Sequence, residues 1–184
     1  MIRDLLIILP QRIGSPLSIN ALREDLNCAH STMKRYIKAL NQVFISFEIC
    51  PYFKDLKKII KKEKKLYFFY FIVADDAGKR FENMIALLLL KWVSSMNEQT
   101  LGDYSLNYLR DQSRREVDFV LLKDNKPLFL IEAKLSDVKF TSASLYYHKL
   151  LNIPIMQLVR KPEISIKRKE GIVLSVHKLA SLVG

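Results

Sequence analysis

Two apolar runs joined by a short polar turn form the most distinctive pattern in this chain. Residues 116–122 and 127–131 are rich in branched and aromatic side chains, and Asp124 and Asn125 lie between them. This pattern predicts a β-hairpin, with Pro127 acceptable only at the start of its second strand. One face would carry Val120, Leu122, Leu128 and Leu130, and the other Phe119, Leu121, Phe129 and Ile131. Because both faces are apolar, we expect central strands covered on both sides, as in an α/β/α domain.

The register of this hairpin decides whether its charged ends meet. With a three-residue loop or a bulge, Asp118 faces Glu132, and Lys134 lies on the same face two residues further on. A plain two-residue loop would send the two carboxylates to opposite faces of the sheet. We therefore expect the longer loop or a bulge, with Asp118, Glu132 and Lys134 converging on one spot.

Helical spacing dominates the first part of the chain. The pattern predicts a short helix over residues 2–9, a second that Ser18 caps and that ends at residue 26, and a third over residues 31–43. The inward side of the third helix would carry Met33, Ile37, Leu40 and Phe44. Aromatic and branched residues at 45–52 and 65–73 then favour two strands that flank a wing. This order predicts a winged helix-turn-helix domain over residues 1–73.

A polar break at residues 74–78 marks the predicted boundary of a second domain, residues 74–184. A long helix over residues 79–96 is apolar around most of its circumference, so we expect it to pack against more than one layer. The remaining pattern predicts strands at 104–110, 155–159 and 172–176, a helix at 142–151, a basic loop at 161–169 and a helical turn at 177–182.

Several short motifs, in this order, resemble the core of the PD-(D/E)XK nuclease superfamily. They are Lys65-Leu66-Tyr67-Phe68-Phe69, Gly78-Lys79-Arg80-Phe81-Glu82-Asn83, Arg115-Glu116-Val117-Asp118-Phe119 and Ile131-Glu132-Ala133-Lys134, with Gln157 on a later strand. The wider chain is similar to a domain, of uncharacterised type, that follows an AAA-type ATPase domain in many bacterial and archaeal proteins. The resemblance implies an α/β protein in which a restriction-endonuclease-like α/β/α domain with a mixed central sheet follows the winged helix.

The resemblance also implies a chemistry, because that superfamily cleaves phosphodiesters with hard divalent cations held by oxygen ligands. Asp118 and Glu132 would bind Mg²⁺ or Mn²⁺, and Lys134 would activate water or offset charge at the phosphate. Glu82 would complete the catalytic set, although the first turn of any helix favours a carboxylate. Glu116 lies two residues before Asp118 and shares its face. It would be either a substitute metal ligand or a solvated acid at the start of the strand.

A degenerate site is the alternative that the sequence leaves open. The same acids and lysine would then form a salt-bridged cluster in a non-catalytic module, which recognises a partner protein or positions an ATPase. Proximity of two carboxylates raises the pKa of one or both unless a cation neutralises them, so the cluster requires metal or lysine in either case.

The chain carries a formal net charge of +11, which favours nucleic acid as the partner, and we expect DNA. In a helix-turn-helix the second helix of the pair enters the major groove. Its outer side would present Ser31, Thr32, Lys34, Arg35 and Lys38. Phosphate contacts would come from the wing lysines Lys54, Lys57, Lys58, Lys61, Lys62, Lys64 and Lys65. An ordinary solvated surface is the alternative for both sets.

Other chemistries find no support in the sequence. Cys28 and Cys50 form neither a disulfide framework nor a metal-ligand spacing, which favours a cytoplasmic location. No apolar run approaches the roughly 20 residues that cross a bilayer, and no signal peptide precedes the first helix, so we expect no membrane partner. The scattered histidines argue against zinc, and without a Gly-x-x-x-x-Gly-Lys-Ser/Thr motif the chain has no P-loop ATP site.

Overall fold

The protein is a mixed α/β structure built around one eight-stranded sheet. The computed structural model describes residues 1–52 and 63–183. Within these ranges the helices are α1 (Ile2–Ile8), α2 (Ile19–Asp25), α3 (His30–Gln42), α4 (Ala77–Glu98), α5 (Ser142–Leu151) and α6 (Val176–Val183). The strands are β1 (Ser46–Pro51), β2 (Lys65–Phe68), β3 (Tyr104–Arg110), β4 (Glu116–Lys123), β5 (Lys126–Lys134), β6 (Ile155–Val159), β7 (Ser165–Arg168) and β8 (Gly171–Ser175).

The sheet combines parallel and antiparallel pairs, in the order β2-β1-β3-β4-β5-β6-β8-β7. The pairs β1–β3, β5–β6 and β6–β8 are parallel, and the other neighbours are antiparallel. Helix α5 supplies the crossover that the parallel pair β5–β6 requires. Strand β7 falls inside residues 161–169, so the prediction of a loop there is wrong. Its four residues are mostly exposed and lack the strict alternation that announces a strand.

The central hairpin has a two-residue loop together with a bulge. Asp124 and Asn125 both have positive φ, 51° and 62°, as a tight hairpin turn requires. The pairing shifts between Leu121 and Leu122, and beyond that shift Phe119 pairs with Ile131. Continued by one residue, this register sets Asp118 opposite Glu132. The longer loop was therefore the wrong alternative, and the bulge restores the pairing that the sequence argument needed.

A second irregularity places Asp118 in a bulge of its own. Strand β3 pairs Asn107 with Val120 and Leu109 with Val117. Two residues of β4, Asp118 and Phe119, therefore oppose the single intervening residue of β3. Bulges of this kind bend a strand and redirect a side chain, so the direction of Asp118 is set by a feature that alternation alone does not contain.

Helices cover both faces of the central strands, as the apolar pattern predicts. Phe119, Leu121 and Ile131 belong to one core cluster, which also contains buried residues of α4. Val120, Leu122 and Leu130 belong to a second, which also contains Tyr147 of α5. The first cluster continues without interruption to Leu5, Leu22, Met33 and Ile37 of the N-terminal helices. The N-terminal helices and the central sheet therefore share one hydrophobic core.

The N-terminal helices and strands agree with the predicted ones except at the C-terminal ends of α3 and β2. Ser18 caps α2 by accepting a hydrogen bond from the backbone of Ala21, and α3 buries its predicted inward positions apart from Phe44. The prediction that Phe44 faces inward is wrong, because α3 ends before this residue. Its φ of 55° turns the chain, and its ring is 73% exposed. Strand β2 is also shorter than predicted, since Phe71–Val73 is a 3-10 helix.

Asn83 ties α4 to the edge strand β2. Its side chain is fully buried, and its Nδ2 donates to the backbone oxygen of Phe68 at 2.7 Å. Its Oδ1 accepts from the backbone nitrogen of Phe68 at 2.9 Å. The amide thus satisfies two backbone groups that strand pairing leaves over, and it fixes β2 against the helix that carries Glu82.

Replacing Asn83 by Ala should lower the free energy of unfolding by about 2–4 kcal/mol, because both backbone groups of Phe68 lose a partner inside the core. Asn97 provides a matched control. Its amide makes the same pair of hydrogen bonds to the backbone of Tyr104, at 2.9 and 2.7 Å, but in an exposed position. Asn97→Ala should cost less than about 1 kcal/mol, since water replaces the amide. Urea unfolding of both variants measures the difference, and equal losses would contradict this role for Asn83.

Candidate active site

One lysine joins the two acids of the central hairpin. The Lys134 Nζ lies 2.6 Å from Glu132 Oε2 and 3.4 Å from Asp118 Oδ2. The backbone nitrogen of Ala133 also donates to Asp118 Oδ2, at 2.9 Å. Asp118, Glu132 and Lys134 therefore meet at the end of strands β4 and β5, as the register argument expects.

The start of α5 holds the Glu132 carboxylate from its other side. Glu132 is 2% exposed, and its Oε1 accepts from Ser144 Oγ at 2.6 Å and from Thr141 Oγ1 at 3.0 Å. Thr141 is also the N-cap of α5, where its side chain accepts from the backbone nitrogen of Ser144. Sequence analysis did not select these two hydroxyls. Their signal was a Thr-x-x-Ser start of a helix, which ordinarily indicates only a cap.

A buried lysine extends the cluster toward α4. The Lys65 Nζ lies 2.6 Å from Glu116 Oε1 and 3.4 Å from Glu82 Oε1, and the Lys65 side chain is 0% exposed. The Tyr67 hydroxyl donates to the same Glu82 oxygen at 2.8 Å. Lys65 was predicted as a wing lysine for phosphate contacts, and that prediction is wrong. Lys65 is the first residue of β2, a strand whose four residues are all buried, whereas its neighbour Lys64 precedes the strand, is 46% exposed and pairs with Glu48.

The N-terminal segment closes over Glu82. Gly14 has a φ of 77°, and a Cβ built on it would lie 2.6 Å from Glu82 Oε2. A side chain at Gly14 would therefore collide with the carboxylate as well as strain the backbone. Together with Lys65 and Tyr67, this contact means that residues on both sides of the predicted boundary at 73/74 build the surroundings of Glu82.

Electrostatics inside the cluster favour the uptake of positive charge. Burial, and then the Asp118 carboxylate, raise the pKa of Glu82 and of Glu132. Burial disfavours the charged form of Lys134, but Asp118 and Glu132 outweigh it, and the pKa of Lys134 is raised. The pKa of Lys65 is raised in the same way, by Glu82, Asp118 and Glu116 against burial. Both lysines thus stay charged at neutral pH, whereas Glu82 and Glu132 take up protons more readily than ordinary carboxylates.

The donor set can be compared with the needs of a metal ion. Among the described residues, no group of three or more His, Cys, Asp and Glu side chains is placed to hold one. The predicted ligands Asp118 and Glu132 do converge, and carboxylate oxygens are the donors that Mg²⁺ and Mn²⁺ prefer. Burial, and then the Asp118 carboxylate, raise the pKa of Glu132, and a cation bound between the two carboxylates would oppose the second effect. The chemistry of the donors therefore fits a hard divalent cation, with two carboxylates at one point rather than three.

Gln157 lies beside the acids on the next strand. It pairs with Glu132 across β5 and β6 and is fully buried. Its Nε2 donates to the backbone oxygen of Asp137 at 2.5 Å, which holds the loop between β5 and α5. Its Oε1 has no hydrogen-bond partner within the described part of the chain. The side chain therefore presents one buried acceptor next to Glu132.

The predicted nucleic-acid residues of α3 lie on the surface. Lys34 and Arg35 are exposed and Thr32 is half-buried. A groove of about 610 Å³ runs beside them, and its lining includes Lys34, Lys38 and Lys64. We call the group formed by Glu82, Glu116, Asp118 and Glu132 with Lys65, Tyr67 and Lys134 the acid cluster. Within the described residues, none of the α3 or groove side chains forms a hydrogen bond or an ion pair with it. The other predicted wing lysines lie outside the described residues; they are Lys54, Lys57, Lys58, Lys61 and Lys62.

Both cysteines, Cys28 and Cys50, are half-buried free thiols. Across residues 1–52 and 63–183, the structure contains no helix with the length and apolar character that a membrane span requires.

Two family models match the chain, one in each half. Residues 77–179 match the domain of unknown function DUF4143, and residues 1–69 match the domain of unknown function DUF8612. No curated protein and no solved structure matches the chain. The first of these models covers the acid cluster apart from Lys65 and Tyr67, which lie in the second.

Replacing Lys65 by Met should lower the free energy of unfolding by about 3 kcal/mol near neutral pH, because Glu82 and Glu116 would lose their buried partner. The loss should shrink as the pH falls toward about 5. The pKa of Glu82 is raised above its ordinary 4.5, so the folded state takes up a proton before the unfolded state does, and protonation removes the unpaired charge.

Urea unfolding at both pH values measures this effect, with Lys64→Met as the neighbouring control. Lys64 is a surface residue paired with Glu48, so its replacement should cost less than about 1 kcal/mol at either pH. A loss for Lys65→Met that matches the control, or that does not change with pH, would show that Lys65 does not compensate the buried acids.

Proposed function

The chain belongs to the DUF4143 family, and we propose that it is a nucleic-acid-binding protein whose acid and lysine cluster hydrolyses phosphodiester bonds with a divalent metal ion. The observation that carries this proposal is the convergence of Asp118 and Glu132 on Lys134 at the end of the central hairpin. Two carboxylates and one lysine on neighbouring strands are the minimum set that the PD-(D/E)XK resemblance requires.

The fold proposed with this function is a winged helix-turn-helix followed by a restriction-endonuclease-like domain. Helices α2 and α3 and the antiparallel pair β1–β2 support the first part. The antiparallel pair β4–β5, followed by the α5 crossover to the parallel strand β6, supports the second. Helix α4, which carries Glu82, packs on the opposite face of the sheet from α5.

Asp118 and Glu132 would hold Mg²⁺ or Mn²⁺ in this proposal. The bound ion would supply Lewis-acid stabilisation of charge at the phosphate. The protein's own residues prepare that site. Thr141 and Ser144 fix one oxygen of Glu132, so that its other oxygen faces Asp118 and Lys134. Lys134 remains charged at neutral pH and offsets the negative charge that develops on a phosphate oxygen.

Helix α3 is the proposed nucleic-acid-binding surface of the N-terminal part. Lys34, Arg35 and Lys38 are exposed on one helix, and Lys64 lies across the adjoining groove. Cations spaced along a groove bind phosphates by releasing counterions, without reading the sequence. The predicted lysines Lys57, Lys58, Lys61 and Lys62 belong to the same proposal on sequence grounds.

A non-catalytic interaction module is the second candidate function, and one observation favours it. Lys134 already bonds both predicted metal ligands, and Lys65 already bonds two of the neighbouring acids. A cluster neutralised by its own lysines is stable without a metal ion. In that case, the same side chains hold the hairpin, α4 and β2 together for a partner protein.

Incubation with supercoiled plasmid and Mg²⁺ or Mn²⁺ separates the two candidates. The wild-type chain should cleave the plasmid, and the isosteric changes Asp118→Asn and Glu132→Gln should each reduce the rate about 100-fold or more. Calorimetric titration with Mn²⁺ should show binding to the wild-type chain and its loss in both variants. Glu98→Gln is the matched control, because Glu98 is exposed at the end of α4 and lies outside the cluster.

The non-catalytic candidate predicts another outcome for the same samples. The wild-type chain would neither bind Mn²⁺ nor cleave, while thermal unfolding would show all four proteins folded. Cleavage that persists in Asp118→Asn and Glu132→Gln would point to a contaminating nuclease and would also reject the proposed site.

The combined change of Lys34, Arg35 and Lys38 to Gln should weaken binding to a labelled DNA duplex and flatten its dependence on salt, by up to about 2.7 in the logarithmic slope for three phosphate contacts. Fluorescence anisotropy between about 50 and 200 mM salt measures this slope. The charge-matched control changes Lys91, Lys126 and Lys149 to Gln, which are exposed on other elements. Equal slopes in the two variants would mean that α3 is not the binding surface.

A further inference from the structure

A second concentration of positive charge lies next to the acid cluster, on the segment between β6 and β8. Residues 160–169 make up this segment apart from Glu170, and they contain five cations and one acid, Glu163. The cations are Arg160, Lys161, Lys167, Arg168 and Lys169, and all five are exposed. Neither α3 nor the predicted wing includes any of them.

This segment begins at the acid cluster. Val159 pairs with Lys134 at the end of β6, and the backbone nitrogen of Arg160 donates to the backbone oxygen of Lys134 at 3.2 Å. The backbone nitrogen of Lys161 then donates to the oxygen of Leu135 at 3.1 Å. These bonds fix the backbone of two exposed cationic residues beside Lys134, which joins Asp118 to Glu132.

The segment then follows the edge of the sheet. Strand β7 is the last strand in the sheet order, and its four residues extend about 13 Å at roughly 3.3 Å per residue. Lys167 and Arg168 lie on this strand, and Lys169 follows it. The exposed cations therefore continue from the acid cluster to the outer edge of the sheet.

These cations are not neutralised by the protein itself. Within the described ranges, none of the five forms an ion pair with a carboxylate. Arg168 instead donates to the backbone oxygen of Val138 at 3.2 Å and lies over the Phe140 ring. Glu163, the acid of the segment, has His177 as its neighbour, at 3.7 Å. The edge of the sheet therefore keeps a positive charge that is available to a ligand.

An anionic substrate requires such a charge, because the acid cluster alone repels it. The cluster has four carboxylates, those of Glu82, Glu116, Asp118 and Glu132, and only three cations pair with them, Lys65, Lys134 and Arg110. A polyanion approaching this excess of carboxylates gains nothing until positive groups nearby attract its backbone. Arg160 and Lys161 occupy the position where that attraction would be most effective.

We propose that residues 160–169 form a sequence-independent binding surface for the phosphate backbone of a nucleic acid, which guides the strand from the sheet edge at β7 to the acid cluster. The inference rests on the proposed function in taking nucleic acid as the substrate. It does not require the cluster to be catalytic, because binding is measured without metal. Arg160 and Lys161 contact the phosphates nearest the cluster, and Lys167 and Lys169 contact those further along the edge.

Protection of the edge strand is the other role that cations on β7 could have. Lysines on an exposed edge prevent two sheets from pairing edge to edge. That role would require no ligand and would affect the oligomeric state instead. Neutral replacement of these cations should therefore weaken DNA binding if they contact phosphates, and should change the oligomeric state if they protect the edge.

The test compares two charge-matched variants of the full chain in the presence of EDTA. One changes Arg160, Lys161 and Lys167 to Gln, which spares the Arg168 contacts; the other changes Lys91, Lys126 and Lys149 to Gln. Fluorescence anisotropy with labelled single-stranded and duplex DNA should show about tenfold weaker binding for the first variant, and a salt slope lower by about 0.9 per lost contact. The second variant should bind like the wild-type chain.

Several outcomes would overturn the proposal. Wild-type affinity in the first variant, an equal loss in both variants, or no DNA binding by the wild-type chain removes the surface. Self-association of the first variant on size-exclusion chromatography with unchanged affinity assigns the cations to edge protection. Displacement of the DNA by polyglutamate at equal charge concentration shows a general preference for anions. Failure of plasmid cleavage with DNA binding intact rejects the nuclease function and leaves this surface standing.

Discussion

Two lysines, the buried Lys65 and the partly exposed Lys134, link four carboxylates at the end of the central strands. Lys134 joins Asp118 to Glu132, and Lys65 joins Glu116 to Glu82. Without these cations, the acids would repel one another in a partly buried region, and this repulsion would destabilise the fold. Ion pairs, as well as apolar packing, thus hold the hairpin, the start of α4 and strand β2 together.

The sequence predicted the elements whose periodicity is long or whose apolar character is strong. The hairpin, α4, α5 and β6 were predicted within a few residues, because their faces are buried and their ends carry turn or cap residues. Strand β7 was missed because it is short and lies at an exposed edge. Phe44 was placed inside the core because helical spacing continues past the residue at which α3 ends.

The site was predictable only where strand pairing determined it. Asp118, Glu132 and Lys134 follow from alternation once a bulge is admitted, and the register confirms their convergence. Lys65 did not follow, because seven lysines near the predicted wing look alike in sequence and only the start of β2 turns this one inward. The hydroxyls of Thr141 and Ser144 carried the ordinary signal of a helix cap, which conceals their second contact with Glu132.

Charge and packing both cross the boundary predicted between the two halves of the chain. The core cluster extends from Leu5 and Met33 to Phe119 and Ile131. The network of ion pairs extends from Lys65 to Glu82 and Glu116, and Gly14 closes over Glu82. Removal of the N-terminal half would take Lys65 away from Glu82 and Glu116, leave Glu116 with Arg110 as its partner, and expose an apolar face to water. Whatever ligand reaches the acid cluster therefore meets a site whose charge depends on both halves, so the N-terminal half has a role at that site beyond any contact of α3 with nucleic acid.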